Sequence, residues 1–419
     1  MTAVQILGFI GTLLAIGFLA DYLFRKISFP DILILLALGY LIGPVFNIID
    51  PAQIAPSSQI IASLALVIIL FNGGLDLKLA PVLSSAPRTI ILVVLGIAAS
   101  TAAITALAYH FLGWDLMNSL LLGAILSGTS PSIVMPLVNR AKAPEKVSAI
   151  LSLESAFDGA LVIVIALVIL EVITGGNTGN EAAMVGQAIG IKFAIGVGIG
   201  AAAGFFWLWV LTLIEGEIFD DILTLAVVFL LYFAVESIDG SGVIFALVFG
   251  LILGNGVEVA NFLRIKRTVE VHEMMRKFHS QMSFLIKTFF FVYLGLMMTF
   301  DDLDIVLIGV ILSFALLFVR YFVVLLTSIG NSTLLKNSGF LTTMLPRGLS
   351  AAVVAEVVVA AGIANASSYP KIIMIVIVAT VIISALGIPI FARKAPEEAP
   401  TEQPEPEDNE PPGQMPMSE

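Results

Sequence analysis

Two stretches decide the fold: Leu126-Ser127-Gly128-Thr129-Ser130-Pro131-Ser132 and, much later, Met344-Leu345-Pro346-Arg347-Gly348-Leu349-Ser350. Each interrupts a long apolar run with a proline, a glycine and hydroxyl side chains. Proline removes a backbone donor and disfavours helical geometry in the residue before it. Inside a bilayer, broken backbone survives only where protein buries it or where it lines a cavity. One such break reads as a proline kink. Two breaks at corresponding places in two halves of a chain point to a substrate site between them.

The bilayer itself follows from composition. Of 419 residues, 59% are apolar and only 12% charged, and the mean hydropathy is +1.05. A soluble domain carries about twice that charge, so a water-soluble globule is excluded. The chain has no cysteine, and His110, His272 and His279 are too scattered for a metal cluster. The apolar stretches predict thirteen spans, near 3–23, 29–46, 57–73, 89–111, 117–137, 146–173, 185–214, 219–236, 240–254, 281–299, 303–327, 338–363 and 370–392. The first is expected to be a retained span rather than a cleaved leader, since it lacks a basic start. The loops after spans 1, 3, 5, 9, 11 and 13 carry fifteen Lys and Arg residues, among them Arg25, Lys26, Arg140, Lys142, Arg264 and Lys266, whereas the opposite loops carry only Lys371. Cytoplasmic loops retain Lys and Arg, so the amino terminus is expected outside and the carboxyl terminus inside. Residues 395–419 are rich in Pro and Glu and predict a disordered cytoplasmic tail. The mixed stretch 257–280 predicts an amphipathic helix at the interface.

Spans 1–6 and 8–13 are blocks of similar length, and span 7 reverses the entry side of the second. This is the arithmetic of an inverted repeat, and the two breaks fall in the fifth span of each block. An ionisable residue in a span costs at least about 2.5–3.5 kcal/mol and is functional by default. Span 6 holds Glu154 and Asp158 on one helical face, with Ser155 between them. The buried cations available are Arg320 in span 11 and Arg347 at the second break. Pairing Arg320 with Glu154 leaves Asp158 as the central carboxylate without an assigned counter-ion, where a cation and a proton would compete. Lys287, Glu356, Lys192, Glu171 and Asp21 are read as snorkelling, locally paired or solvated. No phosphate-binding, dinucleotide or nucleophile motif is present, so neither a cofactor nor catalysis is expected, and the driving force must be an ion gradient.

These residues resemble the monovalent cation:proton antiporter superfamily, in particular its sodium/proton exchanger branch. Leu153-Glu154-Ser155-Ala156-Phe157-Asp158 is similar to the family's "ES..ND" signature, and Phe71-Asn72-Gly73-Gly74-Leu75 to its "FEGGL" stretch. Gly128-Thr129-Ser130-Pro131 resembles its "TDP" break, and Val319-Arg320 and Pro346-Arg347-Gly348 its "aRP" and "RG" elements. The resemblance implies a membrane domain over 1–394 in a homodimer, with an interface part near 1–85 and 185–299 and a transporting core near 89–173 and 303–392. It implies that Asp158 binds the cation or the proton, with Ser155, Thr129 and Ser130 around it and Asn72 as an accessory. Three positions depart from the pattern: Ser130 replaces an aspartate, Asn72 a glutamate and Phe157 a polar residue. The expected function is exchange of Na⁺ (or Li⁺ or K⁺) for H⁺ across a plasma membrane, in a prokaryote. A sodium-coupled symporter of a small organic solute and a non-transporting scaffold are the competing readings.

Overall fold

Without water to bond them, the backbone groups of an apolar run must pair within the run, which makes it a helix. The computed structural model describes residues 3–27, 30–49, 55–77, 79–175, 181–214, 219–262, 273–298, 300 and 302–391. Among these it is helical, with no strand. Helix α1 covers Ala3–Ile27, α2 Asp31–Tyr40, α3 Ala55–Asp76, α4 Leu79–Leu107, α5 Leu116–Ile125, α6 Pro131–Arg140, α7 Glu145–Gly175 and α8 Glu181–Leu213. Then follow α9 Asp220–Ser237, α10 Gly242–Gly254, α11 Gly256–Phe262, α12 Glu273–Leu296, α13 Leu303–Ser328, α14 Ser332–Lys336, α15 Ser338–Thr343, α16 Leu349–Ala361 and α17 Ser368–Phe391. π-Helical turns extend α2 through Val45 and α4 through Leu112. Among the described residues, five helical stretches are long and apolar enough to cross a bilayer unaided: Pro87–Leu112, Glu145–Gly175, Gln187–Leu213, Leu303–Ser328 and Ser368–Phe391. Six shorter apolar helices lie among them.

The apolar stretch 117–137 is not one helix but α5 and α6, and 338–363 is α15 and α16, each pair separated by the motif that opened the sequence reading. The expected interfacial helix over 257–280 is corrected. Residues 263–272 lie outside the described part, and from Glu273 onward the segment is the first two turns of α12. There His279 is fully buried against Phe71. Amphipathic composition cannot separate a helix lying on the membrane from the polar end of one that enters it. The tail 395–419, and the loop cations Lys78, Arg264, Lys266 and Arg267, also lie outside the described residues.

Tight packing is bought with glycine. Helix α3 runs against α10, and α2 against α12. At the first contact the carbonyl of Phe71 lies where a Cβ on Gly250 would stand, and the carbonyl of Leu247 where one on Gly74 would stand. At the second, Gly39 faces Gly295. Small residues let backbones approach, which is how helices gain contact in lipid, where burial of apolar surface gives no net drive. Gly250→Val should therefore force α3 and α10 apart at a cost of about 1–3 kcal/mol or more. Thermal unfolding in detergent should show a clear drop for this variant and almost none for Gly198→Val, whose added Cβ meets nothing within 4 Å.

Candidate cation and proton site

The two breaks touch. Helix α5 ends at Ile125, and the chain stays unwound until Pro131 opens α6 at its first position, where the missing N–H costs nothing. Its counterpart, Met344–Gly348, separates α15 from α16. The Ser130 backbone N–H donates to the Pro346 carbonyl at 2.9 Å, joining one break to the other. The Arg347 N–H donates to Thr380 Oγ1 of α17 at 3.0 Å. A Cβ on Gly348 would stand 2.6 Å from Ser130 Oγ, so glycine is what lets the breaks close on each other. Gly128 similarly rests on α7: a Cβ added to it would stand 3.0 Å from the Asp158 carbonyl oxygen.

That contact carries Thr129 to the carboxylate. Asp158 Oδ2 accepts from the Thr129 N–H and from Thr129 Oγ1, both at 3.1 Å. Its other oxygen, Oδ1, is buried without a hydrogen-bond partner, and the residue is 3% exposed. Glu154, one turn earlier on the same face of α7, has a different environment. Arg320 donates to both its oxygens, at 2.7 and 2.9 Å, and donates Nε–H to the Leu341 carbonyl at 3.0 Å. A two-point guanidinium–carboxylate pair fixes geometry as well as charge. The anion at 154 is thus balanced by protein, and that at 158 has only neutral donors.

The remaining predicted residues divide. Ser130 lies at the break, its hydroxyl 3.0 Å from that of Ser132. Ser155 is buried beside the carboxylates, and its hydroxyl donates back to the Ser152 carbonyl at 3.1 Å rather than to Asp158. Phe157 packs on the apolar core. Arg347 is 2% exposed, and its Nε and Nη1 have no hydrogen-bond partner. Asn72 lies on the wall of a cavity of about 940 Å³, where its amide donates to Asp76 at 3.3 Å. The cavity runs between α1, α3, α6 and α12 and reaches Pro131 and Ser132, but Asp158 is not on its wall. A second cavity, of about 100 Å³, lies toward the other end of α3 and α7, lined by Ser63, Leu167, Lys192, Tyr232, Glu236 and Val357 among others. Beside it Lys192 pairs with Glu171 at 2.6 Å, tying α8 to α7. Lys287, on the wall of the large cavity, pairs with Asp31 at 2.6 Å. Sequence reasoning missed Thr380 and Asp76. Thr380 gives no signal in a uniformly apolar helix, whereas Asp76, a carboxylate one turn after Asn72, could have been noticed.

Glu154→Gln should leave Arg320 as a buried cation with a neutral partner, and breaking a buried pair costs about 3–5 kcal/mol. Detergent melting temperature should fall sharply for this variant and for Arg320→Gln. The double variant should recover part of the loss. Additive losses would mean that the pair is not energetically coupled.

Known proteins bear on this geometry. The family described as "Sodium/hydrogen exchanger, transmembrane" matches residues 11–394. A K(+)/H(+) antiporter NhaP2 of Shewanella sp. (strain MR-4) is 27% identical over 402 residues, covering 93% of this chain and 67% of the relative. The Na(+)/H(+) antiporter ApNhaP of Aphanothece halophytica is 25% identical over 276 residues, covering 65% of this chain and 50% of its own. The sodium proton antiporter MjNhaP1 from Methanocaldococcus jannaschii, solved at pH 8, superposes with a TM-score of 0.76 at 23% identity, over 94% of this chain and 97% of that one. At that identity the superposition establishes the fold. The chain belongs to the sodium/hydrogen exchanger family of membrane cation/proton antiporters.

Proposed function

We propose that this protein exchanges a monovalent cation for H⁺ across the membrane, with Asp158 as the one site both ions use. The observation that carries the reading is the contrast on one face of α7. Glu154 is neutralised by Arg320, while Asp158 has one oxygen held by Thr129 and the other free of protein donors. A carboxylate so placed needs a cation or a proton, because an uncompensated charge at that depth is costly. The core crosses only when one of the two is bound, which couples them without contact between them. One exchangeable carboxylate gives one-for-one, electroneutral exchange.

The helix-packing pattern supports the inverted repeat. With α2, α3 and the broken α5/α6 as elements of one block, their counterparts in the other are α10, α12 and the broken α15/α16. The contacts α2–α12 and α3–α10 exchange under that correspondence, and the breaks meet each other. We read α1–α3 and α8–α12 as the interface part of a homodimer and α4–α7 and α13–α17 as the moving core, in a thirteen-span chain with the amino terminus outside. The large cavity then opens to the cytoplasm, and the Lys192–Glu171 pair closes the outside between core and interface. Relatives named for K⁺ and for Na⁺ exchange leave both ions, and Li⁺, as candidates.

Asp158→Asn should insert and remain folded, since the amide is nearly isosteric, yet lose cation-driven proton flux. In vesicles carrying an internal pH dye, Na⁺, K⁺ or Li⁺ added to wild type should raise internal pH changes that choline does not. Half the wild-type rate in the variant would exclude the role given to Asp158.

A further inference from the structure

One peptide group joins the two breaks to the helix that follows the second. A trans peptide points its C=O and its N–H to opposite sides of the chain, and between Pro346 and Arg347 both ends are taken. The Pro346 carbonyl accepts the Ser130 N–H of the first break at 2.9 Å, and the Arg347 N–H donates to Thr380 Oγ1 of α17 at 3.0 Å. Thr380 is fully buried, and its own proton goes to its helix, to the carbonyl of Val376 at 2.7 Å or of Ile377 at 3.1 Å. That leaves the oxygen to accept from the break. Next to Ser130 stands Thr129, whose N–H and hydroxyl hold Asp158 Oδ2. A line of hydrogen bonds and peptide groups therefore runs from a hydroxyl on the last core helix to the carboxylate of α7.

Thr380 also holds the place in its half that Asp158 holds in the other. Thr129 lies four residues beyond the end of α5 and two before the start of α6. Arg347 lies four beyond the end of α15 and two before the start of α16. The N–H of the first goes to Asp158, thirteen residues after the first residue of α7. That of the second goes to Thr380, twelve after the first residue of α17. Helix α6 packs on α7 as α16 packs on α17. With the blocks paired as in the proposed repeat, α17 is the counterpart of α7. The two halves thus make one contact with different chemistry. A carboxylate can take up a cation or a proton, whereas a hydroxyl can only hold the backbone.

We propose that Thr380 is a positioning residue for the exchange site, setting through the 346–347 peptide and Ser130 how firmly Thr129 supports the Asp158 anion. An amide bonded at its N–H is a better acceptor at its C=O, and one held at both ends cannot turn. Without the hydroxyl, the Arg347 N–H is a buried donor lacking its acceptor, which is unfavourable. The peptide then turns toward another acceptor, and its carbonyl leaves Ser130. Thr129 loosens from Asp158 in turn, and the anionic form, the one a cation binds, loses support. Cation binding weakens relative to proton binding, while crossing of the loaded core is left as it was.

The inference rests on the reading of Asp158 as the shared site, so one arm of the test measures ion competition and the other does not. Thr380→Val removes the acceptor and nearly keeps the shape, and Thr380→Ser keeps the hydroxyl. Ser384→Ala is the control, removing a buried hydroxyl one turn along α17 that bonds its own helix at 2.8 Å. In vesicles with an internal pH dye and Na⁺ or K⁺ as the probe, the apparent KM of Thr380→Val should rise about three- to tenfold at acidic pH, the size of one lost hydrogen bond. It should approach wild type at alkaline pH, where no proton competes, with maximal rate nearly kept throughout. Thr380→Ser and Ser384→Ala should follow wild type. In detergent, deuterium uptake of Thr380→Val read by mass spectrometry should quicken in both breaks, at 127–130 as well as 344–348. Should Thr380→Val melt too low for these assays, Thr380→Ala, which lacks the same acceptor, is carried through both arms. Faster uptake confined to 344–348, a KM unchanged or raised equally at every pH, or failure of Thr380→Ser to restore wild-type behaviour overturns the role. If Asp158→Asn is dead while both breaks of Thr380→Val take up deuterium as in wild type, only the positioning role falls. If Asp158→Asn still exchanges, the shared site falls and the influence of Thr380 on it falls too.

Discussion

An anion near the middle of a membrane helix must be balanced, and the structure meets that constraint in two ways on one face of α7. Glu154 is balanced permanently by Arg320, which comes from α13 and is itself anchored to the Leu341 carbonyl on α15. That pair ties three elements of the core together. Asp158 has only the N–H and hydroxyl of Thr129. The proposed function rests on this difference between a fixed counter-charge and neutral donors, which would make Glu154 structural and Asp158 exchangeable.

Neutral donors can reach Asp158 only because the helix that supplies them is broken. An intact helix would have spent the Thr129 N–H on its own carbonyl four residues back. The break frees it, Pro131 restarts the helix without needing that donor, and the Pro346 carbonyl takes up the next N–H, that of Ser130. The second break is held in turn by Thr380. The result is irregular backbone fully enclosed by protein, the condition under which it is tolerated at such depth. Arg347 adds a buried cation to the same enclosure, with two nitrogens unbonded to protein. It lowers the cost of negative charge there without fixing either carboxylate in place.

Much of this was legible in the sequence because lipid leaves few options. Charges inside apolar runs stand out, so Glu154, Asp158, Arg320 and Arg347 could be singled out, and prolines with glycines at matched depth marked the breaks. What could not be read depends on side-chain direction and long-range placement. Ser155 lies one turn before Asp158, yet its hydroxyl takes the local option of bonding its own helix, a competition that spacing does not reveal. Thr380 becomes a cap only once α17 is packed against the second break. Within the stretch 257–280, the described residues from Glu273 onward belong to α12, and Arg276 there donates to the carbonyls of Leu75 and Gly254, a use of a polar residue that composition does not reveal. Asn72 was expected as an accessory of the site; it lies on the wall of the large cavity, and its hydrogen-bond partner Asp76 was not singled out.

If one carboxylate serves both ions, binding one must displace the other, and the linkage is reciprocal. The most direct test is proton release from purified wild-type protein in weakly buffered detergent as Na⁺, K⁺ or Li⁺ is added, measured across a series of pH values. The account predicts about one proton released per cation bound where the site starts protonated, with apparent cation affinity falling about tenfold for each unit of acidification there. Cation binding without proton release, at an affinity that does not change with pH, would contradict it.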